Sequence, residues 1–143
     1  MIQDGPSTTN FSPVPLQGNT VFEELSKAGL SEAMSTSLAQ APGGACVSWG
    51  IPFRIDRPIL LKDQPVTEPT KGLKAAWLVF LHTADIKPLV RDEYGLIRPM
   101  RGEGHLGEHI ADYTIVYADG TEARTEIRRR HHVGPFRRIW GEN

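Results

Sequence analysis

Residues 110–130, IADYTIVYADGTEARTEIRRR, decide the fold. Two runs of β-forming residues flank Asp119-Gly120, and this dipeptide favours a tight hairpin turn because Gly accepts positive φ and Asp tolerates it. Side chains alternate between the two faces of a strand. The more apolar face of the first arm carries Ala111, Tyr113, Ile115 and Tyr117. The pattern therefore predicts a β-hairpin that turns at residues 118–121 and packs against a second layer.

Upstream, residues 73–81 (LKAAWLVFL, hereafter the apolar segment) form a nearly continuous apolar run of strand length. Such a run is typical of a strand that is buried on both faces, so Trp77 is expected in the core. Shorter strands are predicted at residues 45–49, 50–55, 59–61 and 133–140, with Pro52 favouring an edge position or a bulge.

Helical character is confined to residues 19–39. Thr20 is a candidate N-cap for a helix over residues 21–28, and residues 31–39 are a candidate for a second, shorter helix. Short strands separated by Pro and Gly turns predict a mainly β fold, an antiparallel β-sandwich or jelly roll with a short N-terminal helical segment. The alternative is a small α+β domain.

A chain of 143 residues with 39% hydrophobic and 23% charged residues is typical of one globular domain. We expect an extended arm over residues 1–18 and a single β-sandwich domain over residues 19–143. Cys46 is the only cysteine and is expected to be a buried thiol. No signal sequence or membrane-length apolar run is apparent, which predicts a cytoplasmic chain, or a secreted one if this is a processed fragment.

Residues 105–109, HLGEH, match a zinc-protease pattern that places both histidines on one helix face. Neighbouring glycines disfavour a helix here, so we interpret the match as coincidental and predict no cofactor. The alternative is a metal-dependent enzyme that uses His105, Glu108 and His109, together with His82. Asp85 follows His82 by three residues, a spacing that allows a carboxylate-supported general base, although a structural histidine is favoured.

Arginines crowd the C-terminal part of the chain, which raises the possibility of phosphate binding. The net charge of −1 favours a solvated strand face or a protein interface instead, and we predict no nucleic-acid partner and no membrane partner. Exposed aromatic side chains would suit sugar stacking. Core or interface burial is nevertheless the expectation for Trp49 and Trp140.

In order along the chain, four motifs resemble those of galactose-binding-like β-sandwich modules that accompany glycoside hydrolases and related polysaccharide-active enzymes. They are FSPVPL at 11–16, WGIPFRI at 49–55, a strand ending in Phe80-Leu81-His82, and the hairpin ADYTIVYADGT at 111–121. In the modules that this chain resembles, further strands follow the hairpin. The resemblance therefore implies a fragment, a split module or a subunit completed by another chain.

The resemblance implies a non-catalytic module or subunit that binds a glycan or scaffolds a carbohydrate-active catalytic chain, and we expect a hetero- or homo-oligomer. It supplies no catalytic residue. Contacts are expected from the long connection at residues 82–108, where carboxylates and arginines would bond sugar hydroxyls. The candidate ligand-binding residues are His82, Asp85, Tyr94, Arg98, Arg101 and His105.

Overall fold

A computed structural model describes residues 4–70, 72–97 and 105–136. The chain forms two compact units, Met1–Leu81 (unit 1) and His82–Asn143 (unit 2). In the described ranges, strands and irregular chain predominate over short helices, and each unit contains one two-stranded antiparallel sheet. The predicted mainly β class is confirmed at this level. No helix within those ranges has the length and apolar character needed to cross a membrane.

The helices of unit 1 lie where the sequence predicts them and are short: α1 is Phe22–Leu25 and α2 is Glu32–Ser37. The side chain of Ser31 caps α2 by accepting a hydrogen bond from the Met34 amide at 3.1 Å, which satisfies one of the amides that a helix start leaves unpaired. A single 3₁₀ turn, Leu38–Gln40, extends α2. The predicted cap at Thr20 is wrong, because Val21 precedes α1 and no side chain caps it.

Two strands of unit 1, β1 (Gly44–Ser48) and β2 (Ile51–Ile55), pair antiparallel as the first hairpin. Cys46 lies opposite Phe53, and its thiol is buried as predicted. Pro52 pairs with Val47 in this two-stranded sheet. Both strands are therefore edge strands, which explains how the sheet accommodates a proline.

The second hairpin forms unit 2 and confirms the prediction for residues 110–130. Its strands are β3 (His109–Val116) and β4 (Glu122–Arg128). Gly120 has a φ of 83° in the connecting turn, a left-handed conformation that Gly adopts without steric cost. An irregular register between His109 and Ala111 brings Ile110 onto the packed face.

The core of unit 2 lies at the open end of this hairpin. It consists of Ala84, Ile127 and Val133, with Ile110, Ala111 and Tyr113 packed against it. Farther along the predicted apolar face, Ile115 and Tyr117 are exposed, so only half of that face is covered. The predicted last strand is reduced to isolated bridges at Val133 and Pro135, and residues 137–140, including Trp140, lie outside the described residues.

The prediction of a buried strand at residues 73–81 is wrong. The apolar segment lies outside all four strands of the described chain, and its large side chains are exposed. Trp77, expected in the core, is 79% exposed. The composition of this run is that of a buried strand. A strand is buried only where other parts of the protein pack against it, and the described residues of unit 1 leave these side chains exposed. Residues 59–61 likewise form no strand.

Candidate functional site

The turn between β1 and β2 presents Trp49, whose side chain projects into solvent. Trp49 is 87% exposed, so the expectation of core burial is wrong, while burial at an interface stays a prediction. Trp49 and Gly50 have φ values of 53° and 74°. Two consecutive residues with positive φ are characteristic of a type I′ turn, the two-residue connection whose twist matches that of the flanking strands. Trp49 thus occupies a position that normally favours Asn, Asp or Gly.

The N-terminal arm holds this turn in place through Asp4. The carboxylate Oδ2 of Asp4 accepts a hydrogen bond from the Trp49 amide at 3.1 Å, and its carbonyl accepts one from the Gly50 amide at 3.0 Å. The Asp4 amide in turn donates to the Val47 carbonyl at 3.0 Å, and the Thr8 amide donates to the Gly50 carbonyl at 2.8 Å. Trp49 therefore stands on a fixed backbone, beside an exposed carboxylate.

One further feature of unit 1 is an open groove of about 610 Å³. Asn19 lines the groove and is hydrogen-bonded to Leu60. Its amide nitrogen donates to the Leu60 carbonyl at 2.9 Å, and its amide oxygen accepts from the Leu60 amide at 2.8 Å. Lys62 and Asp63 contribute charge to the lining, and Pro65 contributes an apolar surface. The groove is open and its lining surface is mostly apolar, and the sequence patterns do not single it out.

His82 in unit 2 is held by both ring nitrogens. Its Nε2 lies 2.7 Å from the carbonyl oxygen of His132, and its Nδ1 lies 2.8 Å from the hydroxyl of Tyr113. A carbonyl only accepts, so Nε2 carries the proton, and in the neutral ring Nδ1 accepts from Tyr113. Burial raises the pKa of Tyr113, which keeps this hydroxyl a donor. Because neither nitrogen bonds to Asp85, the geometry is that of a structural histidine.

The arginine that directly follows β4 is engaged within unit 2. Arg129 donates through Nε to Glu108 at 3.2 Å and through Nη1 to the Asp85 carbonyl at 2.7 Å. Lys87 forms an ion pair with the same glutamate. Burial alone would raise the pKa of Glu108, but the hydrogen bond and charge of Lys87, with the charge of Arg129, outweigh it and lower that pKa. These contacts join the start of unit 2 to the end of β4.

A second ion pair lies across the hairpin. Arg124 donates to Asp112 at 2.7 Å, and His109 lies 3.2 Å from the same carboxylate oxygen. The hydrogen bonds from Arg124 and His109 lower the pKa of Asp112 to about 2. Asp112 lies opposite Glu126, and Arg124 lies opposite Thr114. The ion pair is therefore a diagonal cross-strand contact that supports the hairpin register.

The four predicted ligand-binding residues that the structure describes make separate local contacts. Tyr94 is 75% exposed and lies in a turn that the Asp92 side chain stabilises by accepting a hydrogen bond from the Tyr94 amide at 3.0 Å. Asp85 accepts the neighbouring Ile86 amide at 2.7 Å. Nε2 of His105 is buried and makes no hydrogen bond within the described residues. Arg98 and Arg101 lie outside the described residues.

The alternative metal site is not assembled among the described residues. His105 lies in a turn and His109 begins β3, as expected from the glycines that disfavour a helix. Glu108 bonds to cations, while His109 faces Asp112. No group of three or more His, Cys, Asp or Glu side chains in the described ranges is arranged to hold a metal ion.

Comparison of the chain with protein-family models, with curated proteins and with solved structures finds no match.

Proposed function

We propose that this chain is a non-catalytic binding module or subunit associated with a carbohydrate-active enzyme, and that Trp49 stacks on a sugar ring of the glycan. The class of function comes from the motif resemblance described above. The observation that carries the proposal is the placement of Trp49, an 87% exposed indole on a type I′ turn. An aromatic face packs on the apolar side of a pyranose, and neighbouring polar groups such as the Asp4 carboxylate bond its hydroxyls.

The backbone strain at Trp49 supports a role in binding. Left-handed backbone costs an ordinary L-residue about 1–2 kcal/mol, and such outliers concentrate at ligand-binding positions. Asp4 and Thr8 form hydrogen bonds with the backbone of the turn, which hold it in this conformation. A rigid indole loses little conformational entropy on stacking, which favours binding.

A second aromatic residue, Tyr94, extends the proposal to unit 2. It is 75% exposed and is the member of the sequence-predicted set whose ring is most available to a ligand. Tyr94 lies in a tight turn, as Trp49 does, and offers a second stacking surface.

The β-sandwich belongs to the same proposal. Two-stranded sheets are marginally stable, and three or more strands with a covered face are needed for independent stability. Both hairpins have two strands. We infer that a galactose-binding-like sandwich is completed when a partner, such as the catalytic chain of a glycoside hydrolase, adds strands to these edges.

The test is affinity electrophoresis and calorimetry of the full chain against soluble β-glucan, xylan and galactan. At least one polysaccharide is expected to retard the wild type, and Trp49→Ala should weaken that binding at least about tenfold, the effect of losing one aromatic stacking contact. Tyr117→Ala is the matched control, because Tyr117 is an exposed aromatic beside the turn of the other hairpin. Failure of all three polysaccharides to bind, or equal binding by Trp49→Ala, would overturn the proposal.

A further inference from the structure

The end of β4 leads into a tight corner over residues 128–133 (hereafter the histidine corner). The His132 amide donates to the Arg128 carbonyl at 2.9 Å, and the Arg130 amide donates to the Val133 carbonyl at 2.8 Å. Arg130 has a φ of 64°, a left-handed conformation that the hydrogen bonds of the corner must stabilise against its cost. The corner ends at Val133, which is 4% exposed and belongs to the core of unit 2. Its closure therefore holds part of that core in place.

The side chain of His132 closes this corner by accepting a hydrogen bond. The Arg128 amide donates to its Nδ1 at 3.0 Å. A backbone N–H only donates, so Nδ1 carries no proton in this contact and the ring is neutral, with its proton on Nε2. Imidazole is the side chain that ordinarily takes up a proton between pH 5 and 8. A protonated His132 would turn one N–H toward another, and the contact would be lost.

We propose that the histidine corner is an acid-sensitive switch, which is closed while His132 is neutral and opens when its ring takes up a proton. Opening would release the amides of Arg128 and Arg130 together, because one short segment carries both. The anchor of Val133 in the core would be loosened with them. The proposal concerns the fold of unit 2 and is independent of glycan binding.

The groups around His132 offer its protonated form no partner. His82 donates through Nε2 to the His132 carbonyl at 2.7 Å, and the centres of the His131 and His132 rings lie 6.5 Å apart. The Arg128 guanidinium pairs with Glu126. The two imidazoles and the guanidinium are cationic or become so in acid, and no carboxylate forms an ion pair with His132 in the described part of the chain.

His82 belongs to the same network but tolerates a proton. Its Nε2 donates in either state, and its Nδ1 lies 2.8 Å from the Tyr113 hydroxyl, which can accept as well as donate. His109 lies 3.2 Å from Asp112 and keeps that contact when it is protonated. The acid sensitivity of the corner is therefore assigned to His132. It has to be measured locally, because the global free energy of unfolding would combine it with the opposite effect at His109.

Amide hydrogen exchange of the full chain, measured by NMR and corrected for intrinsic exchange, tests the switch at the groups that it releases. If the closed corner holds only neutral His132, the protection factors of the Arg128 and Arg130 amides should fall about tenfold between pH 7.5 and 5.5, because an open imidazole gains its proton near pH 6.5. Constant protection of either amide across this range would overturn the proposal.

Two asparagine variants assign the effect to one histidine. In His132→Asn, the side-chain Oδ1 takes the place of Nδ1 and accepts from the Arg128 amide at any pH, so protection should not depend on pH. His131→Asn is the matched control and should keep the wild-type fall, because His131 is also exposed and its ring makes no hydrogen bond in the described ranges. An equal fall in His132→Asn would overturn the proposal. If His132→Asn does not fold, the control decides, since a fall that disappears in His131→Asn assigns the effect to the wrong histidine.

Discussion

Replacement of Trp49 by Asn is expected to stabilise unit 1 while it removes the proposed sugar-stacking surface. Trp49 has a φ of 53°, a conformation that costs an ordinary L-residue about 1–2 kcal/mol and that Asn tolerates. At 87% exposure, the burial lost is about 30 Å² of a residue area near 250 Å², or about 0.8 kcal/mol. The expected net gain in the free energy of unfolding is about 0.7 kcal/mol.

Urea unfolding of the full chain, followed by circular dichroism with a check that the m-value is constant, measures this change. Trp49→Ala is the control, because it removes the same indole and keeps a side chain that disfavours left-handed backbone. Trp49→Asn should therefore exceed Trp49→Ala by about 1 kcal/mol, since alanine retains the backbone cost. If the two variants are equally stable, Trp49 carries no backbone strain and the main support for its role in binding is lost.

Three further perturbations test the structure elsewhere. The pKa of Asp112 is lowered to about 2, below its ordinary value. Its ion pair therefore stabilises the fold above pH 4, and that contribution is lost as pH falls from about 4 toward 2. Asp112→Asn should flatten this part of a curve of unfolding free energy against pH. Tyr113→Phe removes the hydroxyl that donates to His82 and should cost about 1 kcal/mol in urea unfolding. Gly18→Ala should cost at least about 1–2 kcal/mol in the same assay, because φ is 64° and a Cβ would lie 2.6 Å from the Arg57 carbonyl oxygen.

The parts of the fold that could be predicted from sequence are those that neighbouring residues determine. Asp119-Gly120 encodes a hairpin turn whatever surrounds it, and the structure contains that turn between β3 and β4. The edge position of Pro52 is also local. In these cases a few neighbouring residues are enough to predict the local structure.

The apolar segment and Trp49 show where that reasoning fails. Whether a segment is buried depends on what packs against it, and the sequence of the segment does not show that. The apolar segment has the composition of a strand, yet its large side chains are exposed in unit 1. For Trp49, aromatic character alone predicts core or interface burial. The position of Trp49 is the signal that predicts exposure. Trp49 and Gly50 are the two residues that connect a pair of five-residue strands, and the side chains of such a turn project into solvent. A bulky side chain at such a turn is unusual, and the proposed sugar contact would account for it.

Cys46 gives unit 1 a built-in reporter of its own opening. It is the only cysteine in the chain, and it is 4% exposed on β1. A thiol reagent can modify it only after the structure around β1 opens, so in the regime where closing outpaces labelling, the rate gives the free energy of that opening. Because unit 2 contains no cysteine, the chemistry is silent there, and unfolding of one half of the chain can be timed without any engineered label.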